Sequence, residues 1–236
     1  MITPTLRAHL GSERGARPLT VETLGHDIAS LVETLGLNRV AAIGWSMGAM
    51  ALWAASGRLE RRLRALVVEE MSPKIVNDAS WGLGLAGAYA AGSVEGTLGE
   101  ITTDWGAYVR RLAPRMFSSA TRERRAELVS WTGDQMAKAD PLAMAAYWRS
   151  MAAQDFRASL STIGAPVLAL RGDDSDIYPP SATEFAGRAA PHGAIAAIGG
   201  AGHVPHLEAP DSFFEHVSDF LNRAYHHETL REGLNP

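Results

Sequence analysis

The chain has 236 residues, enough for one well-buried domain carrying an insertion and too few for two large independent domains. Its hydrophobic fraction of 46% and charged fraction of 20% are those of an ordinary globular protein, and a net charge of −4 argues against the basic face a nucleic-acid partner needs. With no cysteine, disulfides, thiolate metal sites and cysteine nucleophiles are excluded.

The N-terminus, Met1 to Leu6, lacks a basic region followed by an apolar core, so it does not read as a secretory signal. Residues 2–5 end at Pro4 and read as the tail of a strand, and the Arg-, Gly- and Ser-rich stretch 6–18 reads as a loop. Thr20 has the chemistry of an N-cap. The helix after it has Val21, Leu24, Ile28, Leu31, Val32 and Leu35 on one face, and Gly36 ends it. Arg39 to Ile43 is a short apolar strand, Gly44 to Gly48 a sharp turn, Met50 to Leu59 a helix, and Leu63 to Glu70 another strand stopped by Pro73.

From 74 to 160 the pattern changes to Gly-rich turns and helical stretches, with four of the six tryptophans: Trp81, Trp105, Trp131 and Trp148. The apolar run Gly82 to Gly92 is too short to span a bilayer, and a cytoplasmic protein with no membrane partner is the expectation. The alternation then resumes with a strand at 166–170, a helix at 180–189, a strand at 194–198 and a helix at 210–223. Strands alternating with helices imply a parallel sheet covered on both faces, here with a helical insertion. The expected organisation is a first part of the core at 1–73, a helical cap at 74–160, a second part of the core at 161–225, and a loosely ordered tail at 226–236.

Gly44-Trp45-Ser46-Met47-Gly48 is a Gly-x-Ser-x-Gly motif. Alone it is a weak signal. Here it follows the apolar strand Val40-Ala41-Ala42-Ile43 and opens a helix, as a nucleophile elbow requires. Side chains two residues either side of the serine would crowd such a turn. Ser46 is therefore the expected nucleophile, and the N–H of Met47 an expected oxyanion donor. Gly199-Gly200-Ala201-Gly202-His203 follows a strand, and its glycines permit a loop that returns an imidazole over the strand ends. His203 is the expected general base. A metal pair of His203 and His206 has no third ligand cluster beside it, so no metal is expected. Nor is a cofactor, since no Gly-x-Gly-x-x-Gly turn follows a strand.

These pieces, with Leu6 to Ser12, Leu66 to Pro73, Pro166 to Pro180 and Gly200 to Pro210, resemble the α/β-hydrolase superfamily, particularly its small cap-bearing esterases and lactonases. The resemblance covers almost the whole chain and implies an α/β-hydrolase fold, a mainly parallel sheet with helices on both faces and a helical cap. It also implies a triad acid that accepts the Nδ1–H of His203. Two positions fit. The loop Arg171 to Pro179 follows the strand after the cap, where most members place the acid, but Ser175 stands at the usual position and Asp176 one residue later. Glu70 stands at the end of the strand before the cap, where some members carry it, and the spacing to Pro73 matches theirs. Glu70 is slightly favoured and Asp176 stays open. Glu69, Asp173 and Asp174 read as surface charges.

Against the family, the sheet begins about three strands late. The strand normally paired beyond 39–43 is missing, as is the loop that usually supplies the second oxyanion donor. Two explanations are open. The functional polypeptide carries an N-terminal extension, or this is a shortened homologue with weak or no catalysis, paired edge to edge as a homodimer. At 5–12, Thr5, Ala8 and Leu10 replace an Asp and two glycines, while Arg7, Gly11 and Ser12 remain.

Trp45, beside the nucleophile, is expected to touch substrate. Of Trp81, Tyr89, Trp105, Phe117, Trp131, Tyr147 and Trp148, most are expected to hold the cap together, and the rest to line an apolar acyl pocket. The implied activity is cleavage of a small, largely apolar carboxylic ester, lactone or thioester through an acyl-enzyme. A carbon–carbon bond hydrolase with the same triad remains an alternative, as does a non-catalytic protein of this fold. A dehalogenase is disfavoured, because its Asp nucleophile would stand where Ser46 does.

Overall fold

The four apolar runs read from the sequence form the four strands of one sheet in the computed structural model, which describes residues 1–232. They are β1 (Val40–Trp45), β2 (Leu63–Glu69), β3 (Val167–Gly172) and β4 (Gly193–Ile198), paired in parallel in the order β1-β2-β3-β4. This is the α/β-hydrolase fold expected, and among the described residues it has only these four strands. Ile2 to Thr5 is not a strand but irregular chain. Its lone proline and the absence of a partner ladder leave nothing to hold it extended.

Parallel strands are joined by crossovers, and the crossover helices cover the faces. Helix α1 (Val21–Thr34) starts where Thr20 Oγ1 accepts the N–H of Thr23 at 3.1 Å, and Gly36 follows its end with φ +64°. Helix α2 (Met47–Leu59) packs along it. Period-two alternation in β2 divides its side chains between two cores. Leu66 and Val68 join Val21, Met50, Trp53 and Ala169 on one face. Ala65 and Val67 join Leu168, Leu170, Ile198, Val217 and Phe220 on the other.

Everything between β2 and β3 is turn or helix, with two isolated bridges. Its α-helices are α3 (Val94–Thr103), α4 (Trp105–Arg115), α5 (Ser119–Arg124), α6 (Ala126–Ala137) and α7 (Pro141–Ala152). Helix α3 packs on α7 and α4 on α6, around Leu98, Ile101 and Ala145 with Trp105, Tyr108 and Trp148. Helix α8 (Pro180–Ala189) links β3 to β4. The short α9 (Pro205–Glu208) and the long α10 (Pro210–Glu232) close the chain. The last helix thus runs beyond Arg223 through most of the stretch read as a loose tail. Residues 233–236 of that tail lie outside the described residues. No helix among the described residues is long and apolar enough to cross a membrane.

Strand β1 pairs only with β2 among the described residues, so one of its edges is open. Ile43 is 49% exposed there, unlike the fully buried valines of β2.

Candidate active site

The backbone at Ser46 is strained: φ 49° and ψ −121°, outside any regular structure, at the junction of β1 and α2. A non-glycine residue with positive φ costs of order 1–3 kcal/mol, so the surroundings must impose it. They do so by two ties: Ser46 N donates to Glu69 O at 2.9 Å, and Ser46 O accepts from Ala49 N at 2.9 Å. The turn closes so tightly that a Cβ on Gly44 would lie 2.6 Å from the backbone of Gly48. The crowding is one-sided, since a Cβ on Gly48 would meet nothing. The sequence-based expectation that both glycines are required sterically therefore holds for Gly44 alone.

Ser46 is thereby presented to the histidine loop. His203 Nε2 lies 3.2 Å from Ser46 Oγ, and His203 Nδ1 lies 3.3 Å from Glu70 Oε2. His203 and Glu70 are both buried, at 4% and 1% exposure. A buried carboxylate needs hydrogen bonds, and Glu70 has two more: Gly172 N donates to Oε1 at 2.8 Å and Ser175 Oγ to Oε2 at 2.9 Å. Ser175, the residue that displaces an acid from the usual loop position, is thus a partner of the carboxylate at the other position. Asp176 is elsewhere. Its carboxylate is exposed and 3.3 Å from Arg122 Nη1, so of the two candidate acids Glu70 is the one beside His203. The ring of Tyr178 packs on His203 at 5.8 Å, and burial beside Glu70 pushes its hydroxyl well above the usual tyrosine range.

Met47 is the first residue of α2, where a backbone N–H has no carbonyl one turn earlier to bond. Trp45 lines the cavity, and its indole N–H also donates to His203 O at 2.7 Å. The ring lies 5.4 Å from that of His203 and 5.3 Å from that of His206.

Sequence reasoning missed three residues around this centre. Glu69 is not a surface charge: it is 2% exposed, and its Oε1 accepts from His206 N at 3.0 Å and stands 2.9 Å from His206 Nδ1. The signal was present, since a carboxylate inside a buried parallel strand must be partnered. His206 faces that carboxylate, and no group of three or more metal-ligating side chains occurs among the described residues. Glu208 accepts from Gly202 N at 2.6 Å and from Ser118 N at 2.9 Å, a tertiary tie that no local motif announces. Asp174 is exposed, as the surface-charge reading has it, and it also accepts from Ser119 N at 3.0 Å, a tie the sequence does not announce.

A cavity of about 1120 Å³ opens in front of Ser46 and His203. Tyr89, Trp105, Tyr147 and Trp148 line it, together with Leu112, Met116, Met136 and Met144. Trp81 and Phe117 are instead buried in packing, and Trp131 is 52% exposed. The cavity continues along the open edge of β1, past Ile43 to Ile2 and Pro4.

The chain is 27% identical over 225 residues to the pimeloyl-[acyl-carrier protein] methyl ester esterase of Aromatoleum aromaticum, covering 93% of this chain and 86% of that protein. Among solved structures it is similar to a thermophilic esterase from Thermogutta terrifontis, with a TM-score of 0.80 at 22% identity, covering 93% of this chain and 78% of that one. An enol-lactonase from Burkholderia xenovorans LB400 superposes with a TM-score of 0.78 at 22% identity, covering 92% and 78%. A bromoperoxidase from Bacillus anthracis does so with a TM-score of 0.83 at 21% identity, covering 92% and 79%. At such identities these structures speak for the fold alone. The model of the alpha/beta hydrolase family matches residues 1–216, and the chain belongs to that family.

Proposed function

We propose that the protein is a serine hydrolase that cleaves a small, largely apolar carboxylic ester, lactone or thioester through an acyl-enzyme. The observation that carries this reading is the chain of contacts Ser46 Oγ–His203 Nε2 and His203 Nδ1–Glu70 Oε2, at 3.2 and 3.3 Å, at the floor of an apolar cavity. Ser46 Oγ attacks the acyl carbon while His203 Nε2 takes its proton. Glu70 accepts the Nδ1–H, fixes the tautomer and stabilises the imidazolium. The Met47 N–H faces the developing oxyanion. The imidazolium then returns its proton to the leaving alcohol or thiol. Water, deprotonated by the same imidazole, hydrolyses the acyl-enzyme and regenerates Ser46. Trp45 forms an apolar wall beside the reacting carbon, and the name of the relative from Aromatoleum aromaticum supports an ester as the scissile group.

A fluorophosphonate probe tests this directly. Labelling of the wild-type chain that vanishes in Ser46→Ala supports the reading; absence of labelling in a well-folded chain overturns it.

A second reading is a chain that keeps the fold but turns over slowly, because the Met47 N–H is the one oxyanion donor assigned to the site. Loss of one oxyanion donor costs on the order of 10²–10³ in rate. Labelling without measurable ester turnover would select it.

A further inference from the structure

We infer that Glu208 is a positioning residue that ties the backbone of the candidate base to the cap. The inference rests on the reading of His203 as base. The loop before His203 is rich in glycine, exposed at Gly199 and Gly200 and buried from Ala201 onward, so the contacts of its buried end fix where the imidazole points. Glu208 sits five residues on, and its two carboxylate oxygens accept from two different segments. Oε1 takes Gly202 N–H at 2.6 Å, one residue before the base, and Oε2 takes Ser118 N–H at 2.9 Å, in the turn between α4 and α5. His203 N–H itself donates to Met116 O at 2.7 Å in the same turn. The two segments touch so closely that a Cβ on Gly202 would lie 2.7 Å from Ser118 N.

The other side of the loop has a matching tie. Asp174 N donates to Ala201 O at 2.9 Å, and Asp174 Oδ2 accepts from Ser119 N at 3.0 Å and lies 3.1 Å from Ser119 Oγ. Two carboxylates therefore clamp the turn at 116–119 onto the backbone at 201–203. That turn is a fixed support for the base, not a free flap. Met116 also lines the cavity, so one turn touches both substrate space and the backbone of the base. Charge-assisted hydrogen bonds of this kind are about twice as strong as neutral ones. A displacement of 1 Å at a reacting group can cost on the order of 10²-fold in rate.

The test uses the full chain, with Glu208→Ala and Glu208→Gln beside wild type. Three quantities are measured: kcat and KM for p-nitrophenyl acetate and octanoate, the rate of Ser46 labelling by a fluorophosphonate, and the His203 imidazole signals by NMR. Glu208→Ala is expected to lower kcat on both esters by about tenfold or more, with KM within about twofold. Labelling slows in parallel, and the His203 signals move. Glu208→Gln recovers part of the loss, because its amide has one accepting oxygen for two N–H groups. A rise in KM confined to the octanoate, with labelling and His203 signals unchanged, would overturn the inference and leave Glu208 as a cap-wall residue. Should Glu208→Ala not fold, Glu208→Gln is read by the same criteria. Should wild type itself not label, the hydrolase reading fails, and the NMR comparison alone decides whether Glu208 sets the position of His203.

Discussion

Glu69 and Glu70 are neighbours in the chain, yet their carboxylates face two different histidines, one in the glycine-rich loop and one in α9. Glu70 Oε2 lies 3.3 Å from His203 Nδ1, and Glu69 Oε1 lies 2.9 Å from His206 Nδ1. Successive residues at the end of a strand point to opposite sides, and φ 47° at Glu70 turns its side chain toward the site. One strand end thus meets both the histidine loop and the helix that follows it.

The two carboxylates of the original choice separate cleanly by mutation. Glu70→Gln keeps the shape but has one accepting oxygen; with that oxygen on Gly172 N–H, its amide N–H faces His203 Nδ1 and imposes the wrong tautomer, so kcat/KM for p-nitrophenyl esters is expected to fall by about 10²–10⁴. Asp176→Asn removes only an exposed ion pair with Arg122 and is expected to stay within about twofold of wild type. Steady-state kinetics of the two variants decide it, and the reverse ranking would place the acid at Asp176.

Glu69 acts on stability. Glu69→Ala would leave the backbone N–H and the imidazole of His206 without their buried acceptor, at about 1–3 kcal/mol. Glu69→Gln retains one oxygen for the N–H and is expected to lose less. Urea denaturation of both variants gives the order. Equal midpoints for wild type and Glu69→Ala would mean that the buried carboxylate is not partnered as described.

What was legible in the sequence was local. The elbow declared itself through a strand, a serine and a tight turn in consecutive residues, and Thr20 and Gly36 marked a helix at both ends. The sheet followed from alternation of apolar runs. What was not legible depends on segments far apart in the chain. Ser46 and His203 are 157 positions apart and His203 and Glu70 133, and no periodicity chooses between two carboxylates until the loop is closed. The sequence favours Glu70 over Asp176 only slightly; the fold turns Asp176 toward Arg122 and Glu70 toward His203. For Glu69 the need for a partner was legible from its place in a buried strand, but the partner, His206, lies 137 positions away. The extension of α10 past Arg223 was missed because the polar stretch from His226 reads as a tail, although no glycine or proline interrupts the helix before residue 233.

The elbow glycines are not equivalent. Gly44→Ala drives a Cβ to 2.6 Å from the Gly48 backbone, which cannot move aside as a flexible side chain would. Overpacking of this kind costs about 1–3 kcal/mol, or roughly 2–12 °C in Tm for a chain of this size. Labelling of Ser46 is expected to fall with it. Gly48→Ala meets open space within α2 and is expected to hold or raise Tm, because alanine is the better helix former. Calorimetry of the two variants checks the asymmetry, and equal losses would show that both positions are sterically closed.

Tyr147 joins the cap to the N-terminal loop and gives the fold a dependence on alkaline pH. Its hydroxyl donates to Arg7 O at 2.8 Å, and burial raises its pKa to about 12 from 10.0. The folded state therefore holds the proton more tightly than the unfolded chain. Its contribution is full below about pH 10 and is lost as pH rises through about 12. Tyr147→Phe removes both the hydrogen bond and the titration. At pH 8 the variant is expected to be less stable by about 1 kcal/mol. Between pH 10 and 12 its stability should fall less steeply than that of wild type, so the two curves converge. Urea midpoints at pH 8, 10 and 11.5 measure this. Parallel curves across that range would show that Tyr147 loses its proton as readily in the folded chain as in the unfolded one.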